Sequence, residues 1–316
     1  MSKGEFEFIA SCLAPLARGF DGALDLGDDA ALIDTGGGQS LVIAKDALVE
    51  GVHFHFGDPP DLVARKLLRT NLSDMAAMGA VARYYLTSIA RPAEQGFEWL
   101  EAIARGFATD QEIWPITLIG GDTVGTSGPA VLSCTMIGEV ETGRALLRSG
   151  ARAGDAIFVT GTLGDAAMGL RVLEGLAAGE EARSFLSDRY HLPQPRTRFG
   201  AALCGLATAA IDISDGLVAD LGHILERSGV GAVVETARVP LSTHASGLPG
   251  ALEAALYGGD DYELLFTMPC DCLADLPVFE DVPVTRIGGI RAEPGLRLLD
   301  SSGRPMPVGR SGWRHF

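Results

Sequence analysis

Apolar residues in the first half of the chain fall into two alternating rhythms. Leu41–Ala44 and Tyr84–Ala90 are short apolar runs, rich in β-branched or aromatic side chains, and predict strands. Between them Pro59-Pro60-Asp61 opens a segment in which Leu62, Leu67, Leu68, Leu72, Met75 and Met78 recur at helical spacing until Gly79 ends it. A second helix is predicted from about Ala93 to Asp110, and strands at Ile116–Ile119 and Ala130–Val140. His53 and His55 alternate in a strand-like stretch, which would put both rings on one face.

The rhythm fades around Arg144–Asp155 and then resumes, so the chain divides into domains of residues 1–143 and 144–316. The second half predicts strands at Ile157–Thr160, Ala209–Ile213, Ala232–Glu235, Glu263–Thr267, Val284–Ile287 and Leu296–Leu299. Helices are expected near Gly164–Ala178, Pro195–Leu206 and Leu217–Ser228. The pattern is that of two α/β or α+β domains in series, for which 316 residues suffice.

Charge narrows the function. The net charge of −16 argues against a nucleic-acid partner, because affinity there comes largely from Lys and Arg on phosphates. An acidic protein can still bind a polyanion such as ATP if metal ions carry the positive charge. No apolar run is long enough to span a membrane, and MSKGEFEFIASCLAP does not read as a signal peptide. Of the five cysteines only Cys270 and Cys272 are close, in a spacing that fits neither a redox motif nor a zinc ribbon. Reduced thiols in the cytoplasm are the expectation.

Candidate chemistry sits in aspartates beside glycine: Gly27-Asp28-Asp29, Gly120-Gly121-Asp122-Thr123, Asp212-Ile213-Ser214-Asp215-Gly216 and Gly258-Gly259-Asp260-Asp261. Asp46 follows the first strand, and Asp74 ends Asn71-Leu72-Ser73-Asp74. Glycine lets a backbone turn tightly and approach a ligand, and Mg²⁺ takes carboxylate, phosphate and water oxygens. Any one Gly-Asp pair reads equally as a turn or a helix cap. Two segments are harder to explain that way. Asp212 and Asp215 flank Ser214 between an apolar strand and a helix, and Asp74 is a charge in an apolar helical stretch, where it needs a partner. No phosphate-loop, protein-kinase, G-x-S-x-G or H-E-x-x-H motif occurs.

Taken in order, the motifs resemble the thiamine-monophosphate kinase family, within the superfamily that includes aminoimidazole ribonucleotide synthetase. GEFEFIA, GDDAAL, GVHF, NLSDMAAMGA, LIGGDT, GRALLRSGARAGD, VTGTLGDAAMGL, HLPQPR, AIDISDGLVADLGHI, YGGDDYELLFT and GWRHF carry the resemblance over nearly the whole chain. It implies transfer of the γ-phosphate of ATP to thiamine monophosphate with several Mg²⁺ ions. By that resemblance Asp29, Asp46, Asp74, Asp122, Asp212 and Asp215 match metal ligands. Gly121, Asp122, Arg148 and Ser214 match ATP contacts, and His53, Glu263 and Trp313 match substrate contacts. The implied fold is an N-terminal α/β domain whose sheet pairs with that of a second subunit, an α+β C-terminal domain, a cleft between them and a homodimer. The residue types suit such a transfer. A phosphomonoester with a second pKa near ~6 is already a nucleophile at neutral pH, so no general base is needed. A cationic thiazolium suits Glu263 and the face of Trp313. The chain departs from the family at Ala44-Lys45, where a hydroxyl pair is common, and at Val124. Lys45 is therefore expected to set its ammonium on a phosphate or a carboxylate. Another ATP-using enzyme of the superfamily and a non-catalytic metal-binding scaffold are the competing readings.

Overall fold

Two sheets organise the chain, and one helix lies between them. The structure, a computed structural model, describes residues 4–309. After a short helix α1 (Glu5–Phe8), the first sheet is formed by β1 (Ala31–Asp34), β2 (Gln39–Val49), β3 (Val81–Pro92), β4 (Thr117–Thr126) and β5 (Val131–Glu141), in the order β1-β2-β5-β3-β4. Its strands obey the two-residue rhythm of a half-covered sheet. Val42, Ala44 and Leu48 of β2 and Leu132, Cys134 and Met136 of β5 are buried, while Lys45 and Ala47 are exposed. Two helices cover the buried face, α2 (Pro60–Ala77) and α3 (Phe97–Ile113). The other face is largely open, and β4 is an exposed edge strand.

The second sheet comprises β6 (Ala156–Thr160), β7 (Ala209–Asp212), β8 (Gly231–Glu235), β9 (Leu264–Met268), β10 (Val284–Arg291), β11 (Gly295–Leu299) and β12 (Pro305–Met306). Its order is β12-β11-β8-β10-β6-β9-β7. With it go helices α4 (Asp165–Leu173), α5 (Glu180–His191), α6 (Thr197–Leu203), α7 (Leu217–Ser228) and α8 (Ala251–Tyr257). Among the described residues no helix is long and apolar enough to cross a membrane.

Helix α2 places the site. It packs on β2 and β5 and also against α6 and β7 of the second half. It is therefore buried nearly all round, polar side chains included: Lys66, Arg69, Thr70, Asn71 and Ser73. Helix α6 comes so close that a Cβ at Gly200 would lie 2.0 Å from the Ala76 carbonyl oxygen.

Four local expectations are corrected. Gly120–Thr123 is not a turn but the middle of β4, and Asp46 lies within β2 rather than after it. The stretch holding His53 and His55 is a turn with one isolated bridge, Glu50 to Phe54, so strand alternation does not apply. The second helix starts at Phe97, because β3 runs on to Pro92 and residues 93–94 form a turn closed by the Gln95 N–H on the Pro92 carbonyl.

Candidate active site

Four carboxylates converge where the halves meet. Asp29 comes from the bend before β1, Asp46 from the covered face of β2, Asp74 from the last turn of α2 and Asp212 from the end of β7. Single oxygens of Asp29, Asp74 and Asp212 all lie within 4.8 Å of one another. Asp29 Oδ2 and Asp212 Oδ2 are buried without a hydrogen-bond partner. Orphaned, buried carboxylate oxygens are costly unless something satisfies them.

The electrostatics agree. Burial, then the charges of Asp46 and Asp212, push the Asp74 carboxyl well above its ordinary range. Burial and then Asp29 push Asp212 up to about 8. Burial likewise raises Asp46, and it lifts neighbouring Asp28 to about 6. Like charges held this close, with empty lone pairs turned inward, suit a hard divalent cation with oxygen ligands. The residues thus fit Mg²⁺.

One cation already reaches the cluster. Arg148, in the linker between the sheets, donates from a terminal guanidinium nitrogen to Asp29 Oδ1 at 2.5 Å, and its backbone N–H donates to Asp28 Oδ1 at 2.7 Å. Burial alone would lower the Arg148 pKa, but the Asp29 carboxylate more than reverses this. Its Nε is buried and unpartnered, so the guanidinium keeps hydrogen-bonding capacity.

Ser214 and Asp215 project from the turn after β7. Backbone N–H groups of Ser214, Asp215 and Gly216 all donate to Asp220 Oδ2, at 3.1, 3.2 and 3.1 Å. Asp220 is itself buried in the first turns of α7, so the turn is fixed from beneath. On the other side Asp260 N–H donates to the Ser214 carbonyl at 2.9 Å. At the far rim His53 Nδ1 accepts the Val49 N–H at 3.0 Å. A neutral ring with Nδ1 as acceptor carries its proton on Nε2.

Residues 27–140 match the family model described as AIR synthase related protein, N-terminal domain, and residues 152–274 match the corresponding C-terminal domain. The thiamine-monophosphate kinase of Caulobacter vibrioides is 41% identical over 98% of this chain and 90% of its own length. That of Salmonella typhimurium is 42% identical over 100% of this chain and 99% of its own. The chain belongs to the thiamine-monophosphate kinase family. A solved structure described as AaThiL complexed with AMPPCP and TMP superposes with a TM-score of 0.87 at 32% identity, covering 99% of this chain and 97% of that one.

Other positions that match the family pattern lie apart from the cluster. Asp122 and Gly121 are on edge strand β4. The register Asp122–Ser88–Ser133–Ala47 puts Asp122 on the open face, whereas Asp46 pairs with Cys134 on the covered face. Lys45 is also on the open face. Its Nζ donates to Ser133 Oγ at 3.2 Å, and Lys45, Gly121 and Asp122 line one shallow depression of ≈ 320 Å³. The lysine therefore points away from the neighbouring Asp46 carboxylate, and the expectation that its ammonium sits on a carboxylate is corrected, since it meets the Ser133 hydroxyl instead.

Glu263 is also placed otherwise than expected. It is buried, takes a bidentate pair from Arg196 with Nε 2.6 Å from Oε2, and accepts Thr160 Oγ1 at 2.7 Å. Its charge is spent on Arg196 and not left open to a cationic ring. Trp313 lies outside the described residues. Sequence reasoning missed Lys66, Arg196 and Asp220. Lys66 carried no clear signal, since a helical lysine reads as solvated; for Asp220 the signal was a third aspartate closing DISDGLVAD.

Proposed function

We propose that the protein transfers the γ-phosphate of ATP directly to thiamine monophosphate, yielding thiamine diphosphate and ADP, with Mg²⁺ held by Asp29, Asp46, Asp74 and Asp212. The observation that carries this reading is the cluster of Asp29, Asp74 and Asp212 with its orphaned oxygens. Bound Mg²⁺ supplies the positive charge that lets two polyanions approach in line. The chain's own groups do the rest. Arg148 gives a permanently charged fork to phosphate. Ser214 and Asp215, on a turn fixed by Asp220, face the nucleotide side, while Gly121 and Asp122 of β4 lie on the open face of the sheet and would reach a nucleotide only across a pair of chains. His53 presents an Nε2–H donor toward the acceptor phosphate. Glu263 acts by holding Arg196 at the acceptor end, and Trp313 supplies an aromatic face. No side chain need remove a proton, since the acceptor phosphate is largely ionised at neutral pH, its second pKa being ~6.

The reading includes a homodimer and a cytoplasmic setting, with a division at residues 143 and 144. A long, exposed edge strand with Leu118, Ile119 and Val124 on its surface supports the pairing of β4's sheet with a second copy. Five free cysteines suit a reducing compartment. The test is to mix purified protein with ATP, Mg²⁺ and thiamine monophosphate and to separate the thiamine phosphates by chromatography. Thiamine diphosphate and ADP in equal amounts are expected. A folded protein that makes neither refutes the reading.

A further inference from the structure

Lysine is almost never fully buried unless its ammonium is paired. Lys66 of α2 is 2% exposed. Its Nζ donates to Asp260 Oδ2 at 2.7 Å and to the His53 carbonyl oxygen at 3.2 Å, and it sits 4.1 Å from the centre of the Tyr190 ring. The Tyr190 hydroxyl reaches the same His53 carbonyl at 3.4 Å. One ammonium thus joins three pieces of chain: the turn that carries His53, the C-terminal end of α5, and the Gly258–Tyr262 turn of the second half. Asp260 is held there in the left-handed region, at φ +68, a conformation that aspartate adopts more readily than most residues.

We infer that Lys66 is a positioning residue that fixes the His53 turn to the second half of the molecule and so sets where the acceptor phosphate is met. The inference rests on the phosphoryl-transfer reading for its kinetic consequence. The two ends of the pair are not equally dependent on Lys66. Asp260 stays tied to the Ser214 carbonyl through its own N–H. The His53 carbonyl loses its charged donor and keeps the longer Tyr190 contact. Removing the ammonium should therefore loosen the acceptor side and spare the nucleotide side.

The test compares wild type with Lys66→Met and Asp260→Asn, each checked for folding by circular dichroism. In Lys66→Met the KM for thiamine monophosphate is expected to rise about tenfold, the equilibrium weight of one charge-assisted hydrogen bond, with the KM for ATP within about twofold of wild type. Asp260→Asn should move the same constant in the same direction. Amide hydrogen exchange over residues 50–58 should quicken in both variants, a readout that needs no activity. Unchanged acceptor KM with unchanged exchange overturns the inference, and so does an equal rise in both KM values, which is general damage. Should Lys66→Met not fold, Asp260→Asn decides alone. Should wild type transfer no phosphate, the parent reading falls, and the exchange comparison still decides whether Lys66 holds the turn.

Discussion

Asp74 and Asp212 sit where a carboxylate is least comfortable, buried beside Asp29 and Asp46 with no counter-ion of their own. A group held above its ordinary value in the folded state costs stability once ionised. The cost is complete above the folded value and gone below the ordinary value of 3.8. Metal-free protein should therefore gain stability as pH falls through about 8 and on toward the value of about 6 held by Asp28. Mg²⁺ should flatten that slope, because the ion replaces the protons. Thermal unfolding with chelator and with Mg²⁺, across that range, checks both statements. Asp74→Asn removes one group that ionises there only at a cost. At a pH near 8 it should stabilise the metal-free protein while lowering turnover about a hundredfold or more. Such opposite movement is the mark of a ligand and not of a structural cap. Asp74 was legible in the sequence because a charge in an apolar helix demands a partner. Lys66 was not, because a helical lysine usually reads as solvated, and only the contact of α2 with the second half removes its water.

Elements were legible in proportion to how one-sided they are. Helix α7 matches its expected limits, since Leu217, Leu221, Ile224 and Leu225 form one buried stripe between Gly216 and Gly229. Helix α5 has only Leu186 and Tyr190 buried, and its polar run gave no such stripe. Gly120-Gly121 reads as a turn signal, yet Gly121 serves the sheet: a Cβ there would lie 2.2 Å from the Thr87 carbonyl oxygen. Helix α2 is the element on which the halves depend. Arg69 donates to both oxygens of fully buried Asp110 on α3, at 2.8 and 3.0 Å, and to the Pro193 carbonyl at 2.9 Å, while Arg65 adds a contact of 2.8 Å to Asp110. Asp110→Ala would leave the Arg69 guanidinium buried without its carboxylate. Urea unfolding should show a loss of ~3–5 kcal/mol. A loss below ~1 kcal/mol would mean that water replaces the carboxylate there.

At the scale of the whole molecule, the two-domain α/β and α+β plan was readable from the change of rhythm between the two halves of the chain. How the site is divided was not readable, because alternation along a strand does not say which face α2 covers or which residues of β2 and β4 share a face. Asp46 faces α2, and Asp122 faces the open side of the same sheet. A sheet separates Asp122 from the cluster of its own chain. In a pair of chains joined across that open side, each Asp122 would serve the other chain's nucleotide. Genetics offers a reading of that arrangement. Asp122→Asn and Asp74→Asn chains, each inactive alone, should complement when unfolded and refolded together. Random pairing makes half the dimers mixed, each with one site free of both substitutions, so about a quarter of wild-type turnover should return.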